Sequence, residues 1–189
     1  AHIHVLSSGI RHVIAADCSV DDITTVSNLL KKQISKTPKG EWVQGFKYDD
    51  TKIKENRDLY KEDLDALSTE HPIMVSHRAG HVYYLNSKAL EFSGYHNESN
   101  DPHGGRLGRN KATGELNGIT YETAIEPTRK LLPSVSEKDR ADGLKQISSM
   151  LNSSGLTSVH DARVSKDEFL TYQDGEKNGD LGIRVYMLM

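Results

Sequence analysis

The chain has 189 residues and is close to electrically neutral, with 24 Lys and Arg against 27 Asp and Glu. Because a protein that neutralises nucleic-acid phosphates needs a basic excess, no nucleic-acid partner is expected. No apolar run approaches the roughly 20 residues that cross a bilayer, so no membrane partner is expected either. The single cysteine, Cys18, excludes an internal disulfide framework, and no signal peptide is visible, so we expect a cytoplasmic protein.

The first 44 residues predict a strand followed by a helix. Residues 1–6 alternate like the end of a strand. Ser19, with Asp22 three residues further on, is typical of a helix N-terminus, and Pro38 and Gly40 would end that helix. The apolar residues between them recur at helical spacing: Ile23, Val26, Leu30 and Ile34.

The next segment, residues 45–130, breaks this rhythm and is interpreted as an insertion. Strands are expected at 41–48, 72–76, 105–109 and 115–120. Helices are expected at 61–67, at 81–92, and from Tyr121 to a kink or end near Pro127.

The last third predicts a strand–helix–strand unit. Capping boxes, in which an acidic residue follows a serine after three positions, begin helices at Ser136 and Ser165. The second helix separates expected strands at 156–160 and 183–189, which should therefore be parallel. Since the apolar strand 183–189 has no turn or cap after it, we expect the chain to be part of a longer protein.

The sharpest local motif is His2-Ile3-His4 at a strand end. Residues i and i+2 of a strand point to the same face, so both imidazoles can converge on one divalent metal ion. Two ligands do not complete a site, because catalytic zinc normally has at least three protein ligands. Two surface histidines, or the remains of a tag, would give the same pattern, so spacing alone leaves both interpretations open.

Two further histidines are candidates for binding substrate. His160 precedes Asp161 at the end of an expected parallel strand, where the active sites of (β/α) folds assemble. The alternative is that Asp161 begins a loop and His160 bonds to nearby backbone. His81 lies in the cationic cluster 77–81, where it either holds an anionic or carbonyl group of a substrate or caps the following helix.

Several stretches together resemble the amidohydrolase superfamily, and in particular the family 3 amidohydrolases, a branch with N-substituted formamide deformylase-like enzymes. Residues 1–4, Ala-His-Ile-His, match the metal-binding opening of the superfamily. The other matching stretches are LDALS at 64–68, HP at 71–72, GH at 80–81, LNSKALE at 85–91, PHGGR at 102–106, TGE at 113–115, NGI at 117–119 and GLTSVHDA at 155–162. Their order and spacing cover nearly the whole chain.

The resemblance implies an α/β fold that is a partial TIM-like (β/α) barrel, with an inserted α+β subdomain between barrel strands 1 and 2. Residues 1–44 would form the first barrel strand and helix, 45–130 the insertion, and 131–189 the units of strands 2 and 3.

The resemblance also implies a metal-dependent hydrolase. Metal-activated water would cleave a carbon–nitrogen bond other than a peptide bond in a small-molecule amide, formamide or cyclic amide. His2 and His4 would bind divalent metal, one or two ions in the full-length protein, and zinc is the metal expected. The general base and the remaining ligands are expected outside this chain, so the 189 residues alone should be inactive.

The alternative is a non-catalytic partial-barrel module for binding or assembly. An open half-barrel leaves strand edges and an apolar face uncovered, which favours self-association. A homo-oligomer is therefore expected of the isolated chain.

Overall fold

The computed structural model describes residues 2–189 and the side chains of residues 3–189. The chain folds into two units: the first combines the residues up to Ile14 with 134–189, and the second consists of residues 15–133. Both units combine helices with a β-sheet, so the predicted α/β class is confirmed. Within the described residues no helix is both long and apolar enough to span a bilayer.

Nine strands and seven α-helices are assigned within the described residues. In chain order they are β1 (His2–Ile3), α1 (Val5–Ile14), β2 (Ala16–Asp17), α2 (Ile23–Ile34), β3 (Val43–Tyr48), α3 (Lys61–Asp65), β4 (Ile73–His77), β5 (Val82–Leu85), α4 (Ser87–Phe92), β6 (Gly105–Arg109), β7 (Leu116–Glu122), α5 (Glu126–Arg129), α6 (Glu137–Ser153), β8 (Ser158–Ala162), α7 (Lys166–Asn178) and β9 (Arg184–Leu188). A 3₁₀ turn, Thr123–Ile125, precedes α5.

The first unit contains a three-stranded parallel sheet in the order β1-β8-β9. One row of its register joins His2, His160 and Tyr186. The predicted strand–helix–strand unit is confirmed by β8, α7 and β9, and the capping boxes at Ser136 and Ser165 are present. The core of the unit is formed by Val5, Leu6, Ile10, Leu144, Ile147, Val159, Val164, Tyr172 and Ile183.

Helices α1 and α6 cross at a pair of glycines. A Cβ atom built on Gly9 would lie only 2.1 Å from the carbonyl oxygen of Gly143, and one built on Gly143 would lie 2.7 Å from the backbone nitrogen of Ile10. Real Cβ atoms do not come so close to backbone. The missing side chains therefore allow the two helix backbones to approach.

The second unit contains a six-stranded mixed sheet in the order β2-β3-β4-β5-β7-β6. Strands β2, β3 and β4 are parallel, and the remaining pairs are antiparallel. Helix α2 packs against β2 and β3. Core residues here include Val26, Leu30, Val43, Tyr48, Ile73, Val75 and Tyr84.

The boundary of the second unit differs from the predicted grouping of residues 1–44. Strand β2 pairs with β3, and α2 packs against these two strands, so residues 15–44 belong to the mixed sheet. Local patterns do not show which sheet a strand joins, because pairing depends on residues distant in sequence.

Four local predictions are wrong. Residues 5–6, expected at the end of the first strand, begin α1, and residues 121–122, expected to begin a helix, end β7. The expected helix 81–92 is instead β5 followed by the short helix α4, because 82–85 is a β-branched and aromatic run and the Asn86 side chain caps α4 by accepting from Ala89 N. Asp22, not Ser19, caps α2: its carboxylate accepts from Thr25 N at 2.7 Å.

Gly9→Ala should lower the free energy of unfolding of the first unit by about 2 kcal/mol, because the new methyl group forces α1 away from α6. Urea denaturation followed by circular dichroism measures this change. Ser149→Ala, at an exposed position of α6, is the control and should leave stability unchanged or slightly raised. Equal stability of Gly9→Ala and the parent chain would contradict the tight crossing.

Candidate functional site

The carboxyl ends of β1 and β8 lie side by side in the first unit. The two strands are parallel neighbours, with Ile3 in register with Asp161. His4 follows β1 directly and precedes α1, while Ala162 ends β8. This is the edge at which (β/α) folds assemble active sites.

His4 has a defined ring orientation at this edge. Its Nδ1 lies 2.7 Å from the carbonyl oxygen of Ala162. A carbonyl oxygen only accepts hydrogen bonds, so Nδ1 carries the proton and donates it. The neutral ring then has its lone pair at Nε2, which is how metal-binding histidines are commonly oriented by a backbone carbonyl. His4 therefore fits the donor chemistry of a metal ligand.

The other predicted ligand, His2, is described only in its backbone, which pairs with His160. Its side chain lies outside the described residues.

His160 is exposed, and its ring lies 5.1 Å from the ring of Tyr186, its register partner on β9. Because residues alternate between the faces of a strand, His160 faces away from the buried Val159 and Asp161. The ring thus lies on the open face of the parallel sheet. Its predicted role in substrate binding stays a prediction.

Asp161 lies within β8 and is buried, instead of beginning a loop. Its Oδ2 accepts a hydrogen bond from Leu6 N at 3.3 Å and another from the Tyr172 hydroxyl at 2.5 Å. Leu6 is in the first turn of α1, whose backbone N–H groups lack partners within the helix. The carboxylate therefore joins α1 and α7 to β8.

Tyr172 was not among the residues predicted from the sequence. Burial and the hydrogen bond to Asp161 raise the pKa of its hydroxyl above the ordinary value, so the hydroxyl remains a donor. Tyr172 lies near the middle of a capped helix, and nothing in its local sequence marks a buried hydrogen bond.

His81 belongs to the second unit and precedes β5, so it does not cap a helix. Its Nδ1 lies 2.9 Å from Glu122 Oε2, and both side chains are exposed. Its predicted substrate role is not tested by this surface pair.

A second group of possible metal donors lies in the second unit, at the carboxyl ends of β3 and β4. Ligand atoms of Asp49, Asp50 and His77 lie within 4.8 Å of one another. Asp49 is buried, and its Oδ2 accepts from the Arg78 guanidinium at 2.8 Å. His77 Nε2 lies 3.0 Å from Asp50 Oδ1.

The neutral ring of His77 carries its proton on the other nitrogen from that of His4, so the two histidines are opposite tautomers. The backbone N–H of Ala79 donates to His77 Nδ1 at 3.1 Å, so the proton of the neutral ring is at Nε2, where it is donated to Asp50. A metal at Nε2 would require this proton to leave and the bond to Asp50 to break. We therefore interpret the group as a hydrogen bond from His77 to Asp50 beside the ion pair of Asp49 and Arg78.

With both edges described, comparison with known proteins identifies the family. A family model described as the amidohydrolase family matches residues 1–188. This chain belongs to that family. The α/β fold and the two histidine-bearing edges are thus features of an amidohydrolase chain.

Two curated relatives are similar to this amidohydrolase chain. N-substituted formamide deformylase of Arthrobacter pascens is 26% identical over an alignment of 185 residues, and the match covers 92% of this chain and 33% of that protein. The putative amidohydrolase YtcJ of Bacillus subtilis (strain 168) is 26% identical over an alignment of 168 residues, and the match covers 87% of this chain and 31% of that protein. The chain therefore spans about a third of the length of these relatives.

A solved structure shares the fold. It is an uncharacterized metal-dependent hydrolase from Pyrococcus horikoshii OT3, with a TM-score of 0.62 and 22% identity, covering 100% of this chain and 35% of that one. At this identity the likeness concerns the fold alone.

Asp49 makes the second unit sensitive to acid. Hydrogen bonds from Arg78 and Thr51 hold the pKa of Asp49 at about 2, below its ordinary value of 3.8. Because the folded pKa is lowered, this stabilisation is complete above pH 4 or so and is lost as the pH falls towards about 2. The difference in unfolding free energy between the parent chain and Asp49→Asn should shrink over that range in urea titrations. A difference that stays constant would show that Asp49 is not responsible.

Proposed function

We propose that this chain is part of a metal-dependent hydrolase of carbon–nitrogen bonds other than peptide bonds, acting on small-molecule amides, formamides or cyclic amides. Membership of the amidohydrolase family supports a hydrolase. The single observation that carries the proposal is the hydrogen bond from His4 Nδ1 to the Ala162 carbonyl, because it leaves Nε2 as the ligand atom. The amide class follows from the relative named N-substituted formamide deformylase.

His4, together with His2, would hold the divalent ion, and imidazole suits zinc and other divalent transition metals. When bound, such an ion polarises a carbonyl group and lowers the pKa of a water molecule. The Ala162 carbonyl keeps the His4 ring in one tautomer, and Asp161 fixes the first turn of α1, which His4 precedes. These contacts orient the ring before any ligand arrives.

We further propose that β1, β8 and β9 are the first three strands of a TIM-like barrel and that the second unit is inserted between the first two. Support comes from their parallel order and from the helices that follow β1 and β8. In this arrangement His160, on the open face, would contact the substrate. Because catalytic zinc normally has at least three protein ligands, two histidines alone would not complete the site, and the 189 residues by themselves would be inactive.

His4→Gln should abolish zinc binding at this edge, because an amide is a poor substitute for imidazole. Isothermal titration of the 189-residue chain with zinc measures the site directly and does not depend on turnover. His96→Gln is the matched control, since His96 lies on an exposed loop and pairs with Glu98.

The parent chain and His96→Gln should bind zinc with the same affinity. If His4→Gln also binds zinc as the parent does, the metal assignment is wrong. Absence of amine release from a panel of amides and formamides by the 189-residue chain is expected and would agree with an incomplete site.

Self-assembly is a second candidate function, and one surface favours it. Tyr186 and Leu188 on β9 are 63% and 42% exposed, on a parallel sheet of the kind that is ordinarily covered on both faces. A second copy of the chain could cover this face.

Tyr186→Lys should shift the chain towards monomers in multi-angle light scattering, because a charge on this face opposes its burial. Leu170→Lys, at an exposed apolar residue of α7, is the control and should leave the oligomeric state unchanged. A parent chain that remains monomeric at high concentration would rule out this assembly.

A further inference from the structure

Strand β9 is an outer strand of the parallel sheet in the first unit, and one of its edges is open. Within the described residues β9 pairs with β8 alone. A cavity of about 580 Å³ lies beside it, with Tyr172, Val185 and Met187 in its wall. The second edge of β9 therefore has no strand against it in the part of the chain that the structure describes.

The residues of β9 alternate in the neighbour that their backbone groups face. The N–H of Arg184 donates to the carbonyl of Thr157 at 2.9 Å, on the side of β8. In a ladder the N–H and C=O of one residue point to one side of the strand, and those of the next residue point to the other. The even-numbered residues of β9 therefore bond to β8, whereas Val185 and Met187 direct their backbone groups to the open edge.

This edge lacks the features with which proteins protect an outer strand, namely charged side chains, prolines and bulges. No proline occurs in β9, and its residues pair one to one with those of β8. The single charged residue, Arg184, donates to the hydroxyls of Ser158 at 2.9 Å and Thr157 at 3.3 Å, on the side of β8. The N–H and C=O groups of Val185 and Met187 are thus open to another strand.

We propose that the open edge of β9 pairs with β9 of a second copy of the chain, antiparallel and about a two-fold axis at Tyr186. This pairing rests on the self-assembly proposed above and gives it a specific contact. Val185 of each copy lies opposite Met187 of the other, and each of these pairs exchanges two N–H···O bonds. The axis uses both open edges of β9, so the assembly closes at two copies.

The side chains of β9 are complementary to a second copy in this register. Tyr186, which is 63% exposed, lies opposite Tyr186 of the other copy, where the two rings gain an aromatic contact. Arg184 lies opposite the apolar Leu188, so no like charges face each other. The half-buried Val185 and Met187 gain cross-strand apolar contacts on the other face. The two three-stranded sheets become one sheet of six strands.

Amide hydrogen exchange of the 189-residue chain tests the edge, at a concentration where light scattering shows dimers and at one where it shows monomers. We expect the amides of Val185 and Met187 to exchange at least about tenfold more slowly in the dimer, because they become bonded between copies. The amides of Tyr186 and Leu188 are the internal control, since they face β8 in both states.

The exchange rates separate edge pairing from self-assembly in general. If Val185 and Met187 exchange as fast in the dimer as in the monomer, edge pairing is wrong, and packing through the open face of the sheet is left. If the chain stays monomeric at high concentration, both are wrong.

Cross-linking tests the register. Tyr186→Cys should form a covalent dimer with oxidised glutathione, because residues opposite each other in a non-hydrogen-bonded pair have Cα atoms about 4.5 Å apart, within the range of disulfides. Leu188→Cys is the matched control on the same face, since its two copies would lie more than about 13 Å apart. The natural Cys18 is buried. Equal cross-linking of the two variants would contradict an axis at Tyr186.

Val185→Pro should raise the Kd of the dimer at least about fivefold, because it removes an N–H at the open edge from both copies. This N–H does not face β8, so the sheet of each copy is retained. Val185→Ala is the matched control, since it also shortens the side chain but keeps the N–H. An equal rise in Kd for both variants would show that the side chain, and not the edge, makes the contact.

Discussion

The hydrogen bond from His4 Nδ1 to the Ala162 carbonyl is the interaction on which the metal site proposed for the first unit depends. It joins the carboxyl ends of two parallel strands and determines which ring nitrogen carries the proton. The bond requires β1 and β8 to keep their register. Asp161 supports that register from the buried side, because its carboxylate binds the first turn of α1 and the hydroxyl of Tyr172. The orientation of one imidazole thus rests on a buried carboxylate in the neighbouring strand.

The comparison with His77 shows that backbone surroundings, and not residue type, decide what a histidine at a strand end can do. Both His4 and His77 lie at the carboxyl end of a parallel strand, and each ring has an Nδ1 bonded to backbone. A carbonyl oxygen faces Nδ1 of His4, whereas an N–H group faces Nδ1 of His77. The first arrangement places the lone pair of a neutral ring on Nε2, and the second makes Nε2 a donor to Asp50. A count of the possible metal-ligating side chains near each histidine does not distinguish these two cases.

The sequence predicted the features that are encoded locally. The capping boxes at Ser136 and Ser165 were predicted because their partners are three residues apart, and the α/β class followed from the order of the elements. Strand β5 was mistaken for helix because four residues carry too little periodicity to identify a strand. The Asp161–Tyr172 pair and the assignment of residues 15–44 to the mixed sheet depend on contacts between segments that only the fold brings together.

The two edges also differ in how their charges are balanced. At the edge of the first unit, His4 bonds to the Ala162 carbonyl, and the Asp161 carboxylate accepts from an N–H and a hydroxyl. At the edge of the second unit, ion pairs join neighbouring strands, from Asp17 to Lys47 and from Asp49 to Arg78. An ion pair loses its mutual attraction when one partner is neutralised, whereas the Ala162 carbonyl that accepts from His4 does not titrate. The second edge should therefore respond to acid and salt, while the orientation of His4 depends on strand pairing.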